Sequence, residues 1–195
     1  MKLKKPKRSD LILLVVIALL LIPQTRKPLQ ITLNKVIAVF GPSVIKEENR
    51  ATFTYTNWNL EDLNGNRINF KDLKGEVVLI NFWATWCPPC VAELPHIQNL
   101  ANDYGDKIKI VLVSGENQIK VSTYLNKKDY KLNSYRSLES YPEVLNISSI
   151  PRTFLIDKQG KIVIDKTGAA NWNSNKVRSL IDDLLKSSTS LQYLP

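Results

Sequence analysis

The chain runs to 195 residues with only two cysteines, Cys87 and Cys90, and a single histidine, His96. Two cysteines cannot build a disulfide-rich scaffold, and a bridge over so short a loop removes little entropy from the unfolded chain. A structural zinc site takes four Cys or His ligands, more than this chain readily supplies. Two thiolates can still hold Cu(I), a soft ion, so that reading stays open. Internal repeats and low-complexity blocks are absent. A nucleic-acid footprint is absent as well. The net charge is +9, yet residues 1–30 hold seven Lys/Arg against Asp10 alone, and the other 165 residues carry 20 basic and 17 acidic side chains. That near balance is a solvated surface and predicts no nucleic-acid partner.

What the first residues do have is a short apolar run. LILLVVIALLLI, Leu11 to Ile22, follows Lys2, Lys4, Lys5, Lys7 and Arg8 and precedes Pro23. Its twelve residues rise about 18 Å against a hydrocarbon core of about 30 Å, the length of a signal-peptide core. The small residues that signal peptidase needs are missing, because Pro23, Gln24, Thr25, Arg26 and Lys27 come next, and no cysteine is there to carry a lipid. The expectation over residues 1–27 is therefore an uncleaved anchor in the lipid bilayer, with lysines snorkelling to cover the mismatch, ahead of a cleaved leader or a buried core helix. Five basic residues before the run against two just after it orient the N-terminus inward by the positive-inside rule. The rest of the chain is then expected on the extracytoplasmic, periplasmic side of the cytoplasmic membrane. Residues 28–50 read as a juxtamembrane linker. Leu29, Leu33, Val36, Ile37 and Phe40 fall on one helical stripe that Gly41 and Pro42 end, either an interfacial helix or a spacer packed on the domain.

Residues 51–187 carry the pattern of a folded domain, and residues 188–195 that of a frayed tail. FTYTNWNL, the turn NGN at Asn64 to Asn66, and RINF predict a β-hairpin. Val77 to Trp83 and Ile108 to Val113 are continuous apolar runs of β-forming residues, as in strands buried on both faces. Pro88 to Tyr104 predicts a helix with Val91, Leu94, Ile97, Leu100 and Ala101 on one face and Gly105 stopping it. Asn117 to Lys127 is a second, weaker helix, followed by a short polar stretch to Ser149. TFLID and KIVID predict two strands about the turn KQG, and Ser174 to Lys186 a final helix. The order predicts an α/β fold, a mixed central sheet with helices on both faces.

The cysteines stand where a buried strand hands over to a helix. A thiol at a helix N-terminus meets unpaired N–H groups and the positive end of the dipole, which favour thiolate. Cys87 is thus the expected nucleophile. Pro88 suits the first helical turn because it has no N–H to lose. Cys90, one turn on and more buried, is the expected resolving thiol. Attack by Cys87 on a substrate disulfide gives a mixed disulfide that Cys90 resolves, and no cofactor is needed. His96 reads as a helix surface residue.

NFWATWCPPC, Pro95 five residues past the second cysteine, and SIPRTFLIDKQGKIV together resemble the thioredoxin fold, and specifically the membrane-anchored, extracytoplasmic thioredoxin-like proteins of the TlpA/ResA type. The likeness covers roughly Thr52 to Lys186. It implies a thiol:disulfide oxidoreductase whose partners are protein dithiols and disulfides, cysteines of apocytochrome c or of another exported protein among them, and a membrane thiol relay protein that re-reduces it. It implies a cis Ile150–Pro151 peptide facing the cysteines and offering backbone groups to substrate, and Pro95 as a structural kink. Trp83 and Trp86 either flank and shield the site or are core aromatics.

Thioredoxins proper carry a buried aspartate where this chain has Asn81, which cannot titrate. TlpA/ResA-type proteins place a glutamate three residues past the second cysteine, and Glu93 stands there, either as proton acceptor for the pair or as an ordinary surface residue. Pro88-Pro89 brings neither charge nor side-chain donor to the Cys87 thiolate. Strong oxidants stabilise their reduced form, so a reductant is the expected direction. An oxidant of exported proteins and a Cu(I)-binding metallochaperone are the rival readings. The proline and threonine spacing ahead of a peroxidatic cysteine is missing.

Overall fold

The computed structural model describes residues 7–21, 28, 30–34 and 39–187. The segment Pro23 to Lys27, three members of the linker stripe (Leu29, Val36 and Ile37) and the tail 188–195 lie outside the described residues.

Seven strands form one sheet: β1 (Asn59–Asp62), β2 (Arg67–Asn69), β3 (Val78–Phe82), β4 (Lys109–Val113), β5 (Ser134–Ser137), β6 (Arg152–Ile156) and β7 (Ile162–Thr167), in the spatial order β2-β1-β5-β4-β3-β6-β7. β3, β4 and β5 are mutually parallel, and the other neighbours pair antiparallel, so the sheet is mixed as expected. Among the described residues, helices run over α1 (Arg8–Leu21), α2 (Pro88–Tyr104), α3 (Gln118–Lys127) and α4 (Asn175–Lys186), and residues 30–34 are helical as well. α2 spans the predicted residues and continues through Pro95, with Gly105 as its C-cap.

Three expectations change. The stretch FTYTN before β1 is not a strand, and Thr52 just ahead of it makes only an isolated bridge with Lys161. Phe53 and Trp58 are buried there as plugs and do not alternate along a ladder. The polar stretch after α3 contains β5, whose SYRS sequence carries no apolar run. It is a strand because β1 and β4 offer open edges on either side of it.

The helices do not cover both faces. Residues of α2, α3 and α4 (Leu94, Ile97, Val121, Leu125, Val177, Ile181) all join one core cluster with Leu79, Leu112 and Leu155. The physical reason is handedness. Consecutive crossovers β3-α2-β4 and β4-α3-β5 step in the same direction through parallel strands, and two right-handed crossovers of that kind lie on the same face. The opposite face is covered by Phe53, Trp58, Phe70 and Leu145 from loops and short 3-10 turns, packed on Ile80, Phe82 and Phe154. Ring centroids there lie 5.0 Å (Phe53 to Phe70) and 5.1 Å (Trp58 to Phe70) apart. Such pairs add about 0.5–1.5 kcal/mol each beyond area burial.

Within the linker, the Asn171 N–H donates to the Phe40 carbonyl at 2.9 Å and the Ile45 N–H to the Val163 carbonyl at 2.9 Å, so its C-terminal part lies on the domain. Leu33 and Phe40 of the stripe are exposed. α1 has 14 residues, and Leu11, Ile12, Leu13, Leu14, Val15 and Ile17 on it are exposed. Among the described residues no helix is long and apolar enough to cross a membrane.

Candidate active site

β3 ends at Phe82, and the loop Trp83 to Trp86 carries the chain to the first turn of α2, where Cys87 is the N-cap. Cys87 and Cys90 are joined in a disulfide with their Cα atoms 5.3 Å apart. The Cys90 N–H donates to Cys87 Sγ at 3.3 Å, the contact that an N-cap oxygen ordinarily accepts. A thiolate on Cys87 would inherit that donor and the helix dipole together. Cys90 is fully enclosed, and Cys87, only 3% exposed, is more enclosed than its position at a helix mouth predicts. Its approach is bordered by Trp86, which is 56% exposed, and by the Ile150–Pro151 peptide. That peptide is cis, and the Ile150 carbonyl oxygen lies 3.8 Å from Cys87 Sγ.

The two tryptophans separate. Trp83 is core, its indole N–H donating to Ser134 Oγ at 3.2 Å, whereas Trp86 stands in solvent beside Cys87. A cleft of about 310 Å³ opens next to them, lined by Phe82, Ala84, Trp86, Tyr141, Ile147 and Ile150. Its walls are mostly apolar, with Glu116 as the one charged side chain among them. The loop is pinned from the other side. The Thr85 N–H donates to Glu116 Oε2 at 2.6 Å, the Thr85 hydroxyl to Oε1 at 3.0 Å, and Lys120 pairs with the same carboxylate.

Glu93 is not a surface residue. It is completely buried on α2, facing the sheet. Asn81 Nδ2 on β3 donates to Glu93 Oε1 at 2.7 Å, and the Trp172 indole N–H (3.0 Å) and Ala170 N–H (3.3 Å) donate to Oε2. Desolvation pushes the carboxyl from its ordinary 4.5 up to about 8, against the opposing pull of these three donors and of Lys166 on β7. Glu93 and Cys90, three residues apart on one helix, are thus both removed from water. Asn81 also donates to Thr153 Oγ1 at 2.7 Å, two residues past Pro151.

Trp172, Ala170, Thr153, Glu116 and Thr85 were not singled out from the sequence. Trp172, Ala170 and Glu116 come in from distant loops, and no local motif marks them. Thr85 sits inside NFWATWCPPC and Thr153 directly after the proline and arginine of SIPRT, but neither carries a titratable group that would draw notice. His96 is half-buried, and that burial lowers its pKa. Among the described residues no three His, Cys, Asp or Glu are placed to hold a metal ion.

The family model described as Redoxin matches residues 46–184. Thiol-disulfide oxidoreductase ResA of Bacillus subtilis (strain 168) is 41% identical over 117 residues, covering 57% of this chain and 64% of that protein. The ResA of Halalkalibacterium halodurans is 34% identical over 124 residues, 61% of this chain and 69% of that one. Among solved structures, a candidate thiol-disulfide oxidoreductase from Bacteroides vulgatus is 33% identical with a TM-score of 0.55, covering 65% of this chain and 90% of that one. The chain therefore spans less than two thirds of the Bacillus subtilis relative and most of the Bacteroides protein.

Proposed function

The chain belongs to the Redoxin family, and from that premise we propose that it is a membrane-tethered, extracytoplasmic thiol:disulfide oxidoreductase that reduces disulfides of exported proteins. The observation that carries this reading is the Cys87–Cys90 disulfide capping α2, with the Ile150 carbonyl on one side and the buried Glu93 on the same helix.

The reaction balances on these residues alone. The Cys87 thiolate attacks one sulfur of the substrate disulfide, and the other substrate sulfur leaves as thiolate. Cys90 gives its proton to Glu93 and attacks Cys87 Sγ, releasing the second substrate sulfur. Two electrons pass to the substrate, and the enzyme is left in the disulfide form seen here. An acid near 8 is close to an ordinary thiol at about 8.5, so the proton moves between Cys90 and Glu93 at little cost. Trp86, Pro88, Ile150 and Pro151 form the substrate-binding rim, and Trp83 and Pro95 hold the loop and helix in place.

The exposed apolar side chains of α1 support the tether, although its 14 residues rise only about 21 Å, which leaves flanking residues to complete a span. The basic N-terminus supports an inside orientation, with re-reduction by a membrane thiol relay protein. Cysteines of apocytochrome c are the substrate class that the ResA likeness suggests. The full chain in detergent is expected to reduce insulin and to show a reduction potential near or below the roughly −270 mV of thioredoxin. A potential well above that value would make it an oxidant, and tight Cu(I) binding with negligible insulin reduction would make it a metallochaperone.

A further inference from the structure

Among the described residues two buried side-chain polar atoms have no hydrogen-bond partner, and one of them is Asn81 Oδ1, at the centre of the site. An orphaned buried carbonyl is costly enough to call for a reason. The Asn81 amide lies between two groups that can each change role. Its Nδ2 gives both protons away, one to Glu93 Oε1 and one to Thr153 Oγ1, each at 2.7 Å. Glu93, Asn81 and Thr153 are all fully buried, and Asn81 and Thr153 are register partners across β3 and β6.

This arrangement suits an ionised Glu93, which only accepts. A protonated Glu93 carries its proton on Oε1, because Oε2 already accepts from Trp172 and Ala170. Its O–H would then point at an N–H, donor against donor. A half-turn of the amide removes that conflict. Oδ1 moves to where Nδ2 stood and accepts from Glu93, and the Thr153 hydroxyl, which can donate or accept, turns to donate to it as well. The amide carbonyl is unpartnered in one orientation and the amide NH2 in the other, so neither satisfies every group and the difference is set against a donor facing a donor. The proton on Glu93 decides.

We infer that Asn81 is a positioning residue whose side-chain amide turns over as Glu93 gains and loses its proton, keeping a hydrogen bond to that acid in both states. The inference rests on the proton-acceptor role given to Glu93 above and extends it to two neutral neighbours. The groups facing Glu93 are the Asn81 amide from β3, Lys166 from β7, the Ala170 and Trp172 N–H groups from the following loop, and the cysteines of its own helix, which do not titrate while joined. Lys166 is the one charged side chain among them, and its charge favours the ionised form of Glu93.

The test uses the full-length, isotope-labelled, oxidised chain in detergent micelles, with no turnover, so failure of the redox assays and failure of this inference are separate results. Above the Glu93 midpoint, nuclear Overhauser contacts are expected from the Asn81 amide protons to the Glu93 γ-protons and the Thr153 methyl. Below it they should be lost, with the same midpoint as the Glu93 carboxyl carbon. Glu93→Gln presents a permanent donor and should abolish those contacts at every pH. Asn81→Ala should move the Glu93 midpoint upward by about one unit, since a donor to the carboxylate is gone. A general loss of packing would lower stability without that shift. Contacts that persist across the Glu93 titration, or that survive in Glu93→Gln, would overturn the inference.

Discussion

The two faces of the central sheet are cut from alternate residues of the same strands, yet they are built for different work. Ile80 and Phe82 point to one side, where Phe53, Trp58, Phe70 and Phe154 form an apolar cluster. Asn81, between them, points to the other, where Thr153, Glu93 and the Cys87–Cys90 pair lie among the residues of three helices. One face buries aromatic rings whose one polar group, the Trp58 indole N–H, donates to Ser137 Oγ at 2.7 Å. The other buries an acid and an amide that must be hydrogen-bonded or lose several kcal/mol each. A period of two along β3 thus separates stabilisation from chemistry within adjacent residues.

Substitutions on the two faces should accordingly fail in different ways. Replacing the nucleophile has the largest expected effect. Cys87→Ser should cut the second-order rate of insulin reduction by about 10³-fold or more while thermal unfolding of the reduced protein stays close to that of the parent. On the aromatic face, Phe70→Ala should cost about 3–5 kcal/mol in denaturant unfolding, with near-parental exchange rates per folded molecule. A large rate loss in the folded fraction would break the division between the faces.

Glu93→Gln should slow exchange about 10²-fold and flatten its pH profile, with the fold retained. The same variant carries a stability signature. Because the folded-state value of Glu93 lies above its unfolded one, the folded state binds the extra proton between about pH 4.5 and 8. The parent therefore loses stability as pH rises through that window, by up to about 1.4 kcal/mol per pH unit. Glu93→Gln should lack this slope, and a stability difference between parent and variant that is the same in urea titrations at pH 5 and pH 8 would show that Glu93 does not hold that proton. The smallest effect is expected at the rim. Trp86→Ala should raise KM for a protein disulfide about 5-fold, with stability within about 0.5 kcal/mol of the parent.

Much of this was legible in the sequence, and the reasons are local. A strand buried on both faces writes itself as VVLINF, and a helix that begins with Pro-Pro and ends at Gly105 leaves both of its ends in the text. The cysteine pair stood at a spacing that could be read directly, and the resemblance to the thioredoxin fold pointed to the proline of SIPRT and to Glu93. β5 could not be read, because SYRS is polar and its pairing is supplied by β1 and β4. The placement of α2 and α3 on one face follows from the strand order, which depends on β5 and was hidden with it. Whether Glu93 faces water or the sheet was equally illegible. Its donors, Asn81, Ala170 and Trp172, lie 12, 77 and 79 residues away, and only the fold brings them to it.

The whole account turns on a thiolate at position 87. The most direct measurement is the rate of alkylation of each cysteine in the reduced full-length chain as a function of pH, read by mass spectrometry. Cys87 is expected to react first, with a midpoint below the roughly 8.5 of an ordinary thiol, because the Cys90 N–H and the helix dipole both favour its charged form. Faster modification of Cys90, or a Cys87 midpoint at or above that ordinary value, would contradict it.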